Sequence, residues 1–499
     1  MKNMLLVAAV LLASGCGKKA EEKKPDPTPV TSKTVEIKAK ETPAPPAAAA
    51  QITVTSKSPE AIAAFDKGLE LVTNARNSEA VEHFKKAVEL DPEFAQAHSY
   101  LGIVSPGSEG ANHLTKAVEL AAKLPEAERE LIAANLSLRN GEMAKGIASL
   151  EKVVQLVPGA WRVDILLANL RNQSGDPAGA IKNLEHALSL KADLPQAQNA
   201  LAYAHASQLA WDPAIAAAKK QVELSPKEPN PQDTLGEVLL WAGKFDESEK
   251  AFQAAVTIEP KFSLAWQGVG LARAYRGDYK GANEAFAQRK TSTTPGEKFE
   301  VAIDSAWISF ADGKLPQALA SLDEIEKDAT AKQFPTFAFA ALDRARILDL
   351  AGKPADATKW YATAMTRTDG LSGDAKNGVV TTQALGMLRL AAIAGKPSAD
   401  ADKLVAVLDD ATKASPDAVR TSRAAYAHGL AAWAKTGPKD AVVELSKCIP
   451  LDFVCRTDLA LAQRKSGDAA DADATEKELK NRAHRDASAV YLRANLGKK

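Results

Sequence analysis

An all-α array of short stacked units, rather than one globular core, is what this chain of 499 residues predicts. Three observations point to it. Alanine supplies about a fifth of the residues and aromatics only 5%, a composition that favours helix and leaves few strand formers. Single cores stop growing near ~250–300 residues, so this length calls for several domains or an elongated repeat. Turn-forming glycines also keep a beat: Gly141 to Gly175 is 34 residues, Gly175 to Gly243 twice that, and Gly243 to Gly277 is 34 again. Lys+Arg and Asp+Glu balance at 63 each, which argues against a nucleic-acid binder, whose surface must neutralise phosphates.

The chain opens on an address. Lys2 is followed by an apolar run, Met4 to Ala13, and by Ser14-Gly15-Cys16. A membrane-spanning helix needs roughly 20 apolar residues, so this run fits a secretory signal peptide. Leu12-Ala13-Ser14-Gly15-Cys16 resembles a bacterial lipobox. The resemblance implies that residues 1–15 are removed and Cys16 becomes a lipidated N-terminus. An ordinary signal peptide cut near Ala13 is the alternative. Three acyl chains on Cys16 would anchor stably, since one chain alone binds only marginally. Gly17, in place of the Asp that retains many such proteins in the inner membrane, implies the periplasmic face of an outer membrane. Residues 16–56 read as a disordered tether: a charged run from Lys18 to Lys24, then Pro25, Pro27, Pro29, Pro43, Pro45 and Pro46. Such a segment buries too little apolar area to offset the entropy of ordering. Its roughly 40 residues, in polyproline II at ~3.1 Å each, would reach on the order of 120 Å.

From residue 57 the repeat takes over. Ser78 to Leu90 aligns with Ser108 to Leu120, apolar position for apolar position. One unit carries Gly68, Ala80, Phe84, Ala87 and Pro92; another Leu235, Gly236, Ser248, Phe252, Ala255 and Pro260; a third Trp266, Gly270, Ala282 and Phe286. Later units carry Ala318 and Leu322, then Ala357, Tyr361 and Ala364, then Gly429, Ala441 and Leu445. These marks resemble the tetratricopeptide repeat (TPR), over about residues 57–480. The resemblance implies an α-solenoid of about 11–12 helix-turn-helix units in a right-handed superhelix. The pattern has a physical basis. Small residues at positions 8, 20 and 27 let the two helices approach, and the larger residue at 24 fills the space beside them. A turn glycine accepts a positive φ, and proline at 32 ends the second helix.

Two stretches depart from the pattern. The second unit is four residues short between Gly102 and Gly110. The unit near 374–410 has a weak core and follows the loop Thr368 to Asp374, which suggests a boundary near 367–378. The expected organisation is a signal peptide (1–15), a lipidated tether (16–56), an N-terminal array (57–367), an irregular C-terminal array (368–480), and a capping helix with tail (481–499).

No catalytic constellation stands out. The histidines show no HExxH spacing, and there is no GxxxxGK[ST], no GxGxxG after a strand and no GxSxG. No cofactor and no metal are expected. His83 and His113 share one repeat position on a second helix: a solvated outer face, or else a metal pair between units. Cys448 and Cys455 are the only thiols besides Cys16. In an exported chain they suggest a disulfide, made feasible by the break at Pro450. Within one straight helix they would lie about 10 Å apart, beyond the ~7 Å limit. Two small buried residues are the other reading, since Cys448 falls at the alanine position 27.

The TPR resemblance implies that first helices line a concave groove. Carried over by position, that groove comprises Asn169, Asn172, Asn199, Tyr203, Asp233, Glu237, Trp241, Gln267, Tyr275, Trp307 and Phe310. Aromatic and amide side chains suit peptide binding, although Trp241, Trp307 and Phe310 could equally pack as core. The expected function is a non-enzymatic scaffold for protein partners in the bacterial cell envelope, held at the membrane through Cys16 and binding no nucleic acid. Regulation of an envelope enzyme, such as a cell-wall synthase or hydrolase, is the alternative. A solenoid enzyme or carbohydrate binder, with a site that spacing does not reveal, is a third.

Overall fold

The structure is a computed structural model and describes residues 52 and 54–497, apart from 74–76, 106, 292–296, 372 and 415–416. The expected signal peptide, Cys16 and most of the expected tether lie outside the described residues. Among the described residues all regular structure is helical. The helices form twelve successive pairs. The first six are α1 (Pro59–Thr73) with α2 (Asn77–Leu90), α3 (Ala95–Val104) with α4 (Gly107–Ala121), α5 (Glu126–Arg139) with α6 (Met143–Leu156), α7 (Trp161–Ser174) with α8 (Pro177–Leu190), α9 (Pro195–Ser207) with α10 (Trp211–Leu224), and α11 (Pro229–Trp241) with α12 (Phe245–Ile258). The next six are α13 (Ser263–Tyr275) with α14 (Tyr279–Thr291), α15 (Glu297–Ala311) with α16 (Leu315–Lys327), α17 (Thr336–Leu350) with α18 (Pro354–Met365), α19 (Gly373–Ala394) with α20 (Ala401–Ala414), α21 (Ala418–Thr436) with α22 (Pro438–Leu445), and α23 (Phe453–Ser466) with α24 (Ala469–Lys480). One short helix, α25 (Ala487–Ala494), follows. None of these helices is long and apolar enough to cross a membrane.

Local chemistry explains the pairing. Proline opens α8, α9, α11, α18 and α22, where its missing N–H costs nothing and its φ suits the first turn. The turn glycines Gly141, Gly175, Gly243, Gly277, Gly313, Gly352, Gly395 and Gly467 all take positive φ. The beat skips position 209, midway between Gly175 and Gly243. There Leu209, at φ 60°, is the sole non-glycine with positive φ among the described residues. The repeat geometry thus imposes the left-handed turn even where the sequence does not supply glycine. Position 24 residues Phe84, Phe252, Phe286, Leu322, Tyr361 and Leu445 are all buried. The small residue at position 8 is required by close approach: a Cβ on Gly270 would lie 2.3 Å from the Phe286 ring. In the shortened second unit, Gly102 and Gly110 let two backbones meet, and a Cβ on Gly110 would lie 2.6 Å from the Gly102 carbonyl oxygen.

First helices crowd one another, whereas second helices bury mainly a stripe of small and aliphatic residues such as Gly146, Leu150 and Val153 of α6. A period of three to four residues is the mark of one buried face. The first helices therefore form an inner wall and the second helices an outer one. The unit at 373–414 is irregular: α19 runs for 22 residues and packs more extensively on α21 than on its own partner α20.

The expected end cap is placed elsewhere. Residues 481–486 leave α24 without helix, and α25 lies mainly against α15, with smaller contacts to α13 and α23. The apolar residues Ala487, Ala489, Val490, Tyr491 and Leu492 are buried there. A cap would have left that face half in water; the inner wall covers it. The last unit comes with it. Phe453 and Leu479 share one apolar cluster with Leu240 and Phe252, and the Ala483 N–H reaches the Trp241 carbonyl at 3.4 Å. Units six to twelve thus close around the C-terminal segment.

Candidate functional site on the inner wall

Hydrogen bonds spaced by about one unit run along the first helices. Asn135 donates to Ser99 Oγ (2.9 Å), Asn199 to Thr234 Oγ1 (2.8 Å), Tyr203 to Glu237 (2.9 Å), Gln267 to Asp304 (2.9 Å) and Trp307 to Asp343 (2.9 Å). The groove residues expected from sequence therefore separate into three sets. Asn199, Tyr203, Gln267 and Trp307 are engaged in holding one unit in register on the next. Asn169 is half-buried, and the buried Asn172 Oδ1 has no hydrogen-bond partner among the described residues. Trp241 is buried, with its Nε1 also unpartnered among the described residues and its ring 5.9 Å from that of Tyr203. Trp307 and Phe310 are buried as well.

Asp233, Glu237, Trp241, Tyr275 and Phe310 meet the chain's own C-terminal segment. Arg485 donates both terminal nitrogens to the Asp233 carboxylate at 2.9 Å each, and a third bond to the Leu264 carbonyl at 2.6 Å. Its Nη1 also lies 3.5 Å from Glu237. Such two-pronged pairing fixes both geometry and charge. Burial pushes the Glu237 carboxyl up, and Arg485 pulls it back. The Tyr275 hydroxyl donates to the His484 carbonyl (2.9 Å) and accepts from the His484 N–H (3.0 Å). Phe310 stacks on Tyr491 with ring centroids 4.1 Å apart. Arg346, paired with Asp343, donates to Ser488 Oγ at 3.2 Å.

Several groups here escaped the sequence reading. Arg289 occupies the small-residue position 27 of its unit, 1% exposed, and pairs with Asp304 (2.7 Å) and Glu300 (3.0 Å). Burial raises Asp304 to about 6, against the pull of Arg289. Arg389 on α19 binds Asp458 of α23 at 2.8 Å and also pairs with Asp349 of α17, tying three inner helices together. A charged residue at a repeat's small position is the one signal that could have flagged Arg289. Nothing local marks Arg389 or Arg485.

At the other end, residues 54–58 lie along the wall as a strap. The Thr55 N–H and hydroxyl donate to Glu128, and the Ser56 hydroxyl and Lys57 N–H to Asp91. Cys448, just past α22, and Cys455, on α23, form a disulfide with Cα atoms 6.4 Å apart. The ring of His113 meets His98, Nδ1 to Nδ1 at 2.9 Å, a neighbour within its own unit. Among the described residues no group of three or more metal-ligating side chains gathers.

This arrangement defines an α-solenoid whose inner wall seats a peptide segment. Residues 65–105 match the family described as Tetratricopeptide repeat. The twelve helix pairs built on that pattern give the chain the fold of a tetratricopeptide repeat α-solenoid. Mouse (Mus musculus) protein O-mannosyl-transferase TMTC1 is 26% identical over 178 residues, 35% of this chain but only 17% of that protein, so the chain spans about a sixth of that relative. Among solved structures, yeast Tom70 is 16% identical, with 84% of this chain and 96% of that one covered at a TM-score of 0.43. A tetratricopeptide repeat protein of Parabacteroides merdae is 14% identical (52% and 98% covered, TM-score 0.39). MamA of Desulfovibrio magneticus is 17% identical (34% and 97% covered, TM-score 0.31).

Proposed function

We propose that this chain is a membrane-tethered scaffold of the bacterial cell envelope that binds protein partners along its inner wall. The observation that carries the binding half is the C-terminal segment itself: a peptide lies on the wall, held by side chains of four first helices. The stretch of α7 and α9 between the strap and that segment is the surface offered to a partner. Neither terminal segment bonds to Asn169, Asn172 or Asn199 among the described residues. The anchoring half rests on residues 1–16, whose lipobox-like ending would make Cys16 the attachment point and the tether a spacer. The scaffold binds and does not turn over substrate.

Crosslinked pull-down from membranes tests the wall. Asn169→Arg is expected to lose partners that the wild type captures; an unchanged partner set would sink the assignment of this surface. Cys16→Ala tests the anchor, and is expected to move the protein from the membrane to the soluble fraction. Persistent attachment refutes lipidation there.

A further inference from the structure

The inner wall of units six to nine carries an uncompensated need for a cation. Asp304 has Arg289 and Asp343 has Arg346, both from within the array. Asp233 and Glu237 are 5% and 2% exposed, and the cation that pairs with them is Arg485, from outside the wall. Two buried carboxylates sharing one bidentate guanidinium form a strong recognition element, because removing the cation leaves them buried without a counter-charge. The segment that supplies it matches in overall charge: between Asn481 and Gly497 it has Arg482, Arg485 and Arg493 against Asp486. The second contact reads main chain, since the Tyr275 hydroxyl bridges the N–H and C=O of one residue, a pair every peptide offers. The third is a flat ring, Phe310, facing Tyr491 six residues beyond the arginine. The segment is joined to the array by a non-helical run, 481–486, and its helix has eight residues, too short to persist alone.

Building on the reading of the inner wall as a peptide-binding surface, we propose that units six to nine are a receptor for a basic protein segment in which an arginine precedes a short aromatic-bearing helix, and that residues 481–497 are its intramolecular occupant, displaced when a partner presents such a segment. Asp233 and Glu237 select the arginine, Tyr275 orients the backbone, and Phe310 takes the aromatic ring. Tethering places the native segment at an effective concentration on the order of mM. A free peptide therefore competes well only when the native segment is weakened.

The test uses the full chain and a fluorescent synthetic peptide of residues 481–497, read by fluorescence anisotropy. Arg485→Ala/Tyr491→Ala in the chain weakens the occupant and leaves the wall intact. This variant is expected to bind the peptide at least tenfold more tightly than wild type does. The same peptide carrying Arg485→Ala is expected to bind at least tenfold more weakly. Equal affinity of variant and wild type, or no binding by a variant whose helical circular dichroism is unchanged, overturns the proposal. Hydrogen exchange on the unaltered chain decides the matter if the variant does not fold. Faster exchange of 487–494 than of α13 supports a displaceable occupant, and equal protection makes the segment permanent core and overturns it. A chain that ignores the peptide while Asn169 still governs partner capture sinks this inference alone.

Discussion

The wall of units three to five and the wall of units six to twelve are built from the same helix pair, yet they differ in what holds them. In the first, wall contacts run between neighbouring units, as in Asn135 to Ser99 and Asn199 to Thr234, and the longest reach is that of the strap, Thr55 to Glu128, 73 positions apart. In the second, residues more than 200 positions apart meet: Tyr275 with His484, Asp233 with Arg485. A solenoid held only by neighbours unfolds in pieces, whereas closure around a central segment couples distant units. The difference teaches that a one-dimensional array gains long-range cooperativity by burying its own terminus.

The largest effect that could break this comparison comes from Phe252, which is fully buried, fills the space beside Gly236 and Gly268, and lies under Arg485 at 5.3 Å. Phe252→Ala is expected to cost about 3–5 kcal/mol and to lower hydrogen-exchange protection of 487–494 at the same time. Leu184→Ala, in unit four, is expected to cost about 2–5 kcal/mol and to leave 487–494 untouched. Loss of tail protection with both would erase the distinction between the two walls.

Reduction of Cys448–Cys455 ranks next. A loop this short stabilises by roughly 2–3 kcal/mol in the chain-entropy account. Cys448→Ser/Cys455→Ser is expected to lower the urea midpoint of the closed half while units three to five melt as before. Smaller still is Leu209→Gly. It relieves a left-handed residue worth ~1–2 kcal/mol, offset by the extra freedom of glycine in the unfolded chain, for a net gain of about 0.5–1 kcal/mol. A lower melting temperature would show that the Leu209 side chain matters more than its backbone.

The gentlest probe is pH. Burial holds the His484 imidazole below its ordinary value, against the pull of Asp486 and Asp452. The docked segment therefore binds fewer protons than the free one. Docking is fully present above pH ~6.5 and is lost as pH falls through the folded value. Exchange protection of 487–494, corrected for intrinsic rates, is expected to drop between pH 7.5 and 5.5; constant protection would remove His484 from the account.

Much of the fold was legible because its rules are local. The position 8 and position 24 residues of one unit lie 16 apart, as Gly68 and Phe84 or Gly270 and Phe286 do, and their contact can be read from spacing alone. The turn glycines were equally readable, and position 209 shows how strict the turn is. The groove was legible only as a list of inward positions. Which of those positions would be engaged in register, as Gln267 and Trp307 are, depended on partners one unit on whose identity no motif announces. The segment 481–499 was expected to cap the array, since a short helix carries in its own sequence no address on a distant wall.

Composition and period, then, determined by themselves that this chain is a stack of helix pairs, because the small and large positions that make each pair fit recur within a single unit. Where the stack curls, which acids on its wall lack a cation of their own, and that Arg485 answers them were decided only by tertiary structure. Those contacts join residues that no local pattern relates, and they exist only once the superhelix has brought unit twelve back to unit six.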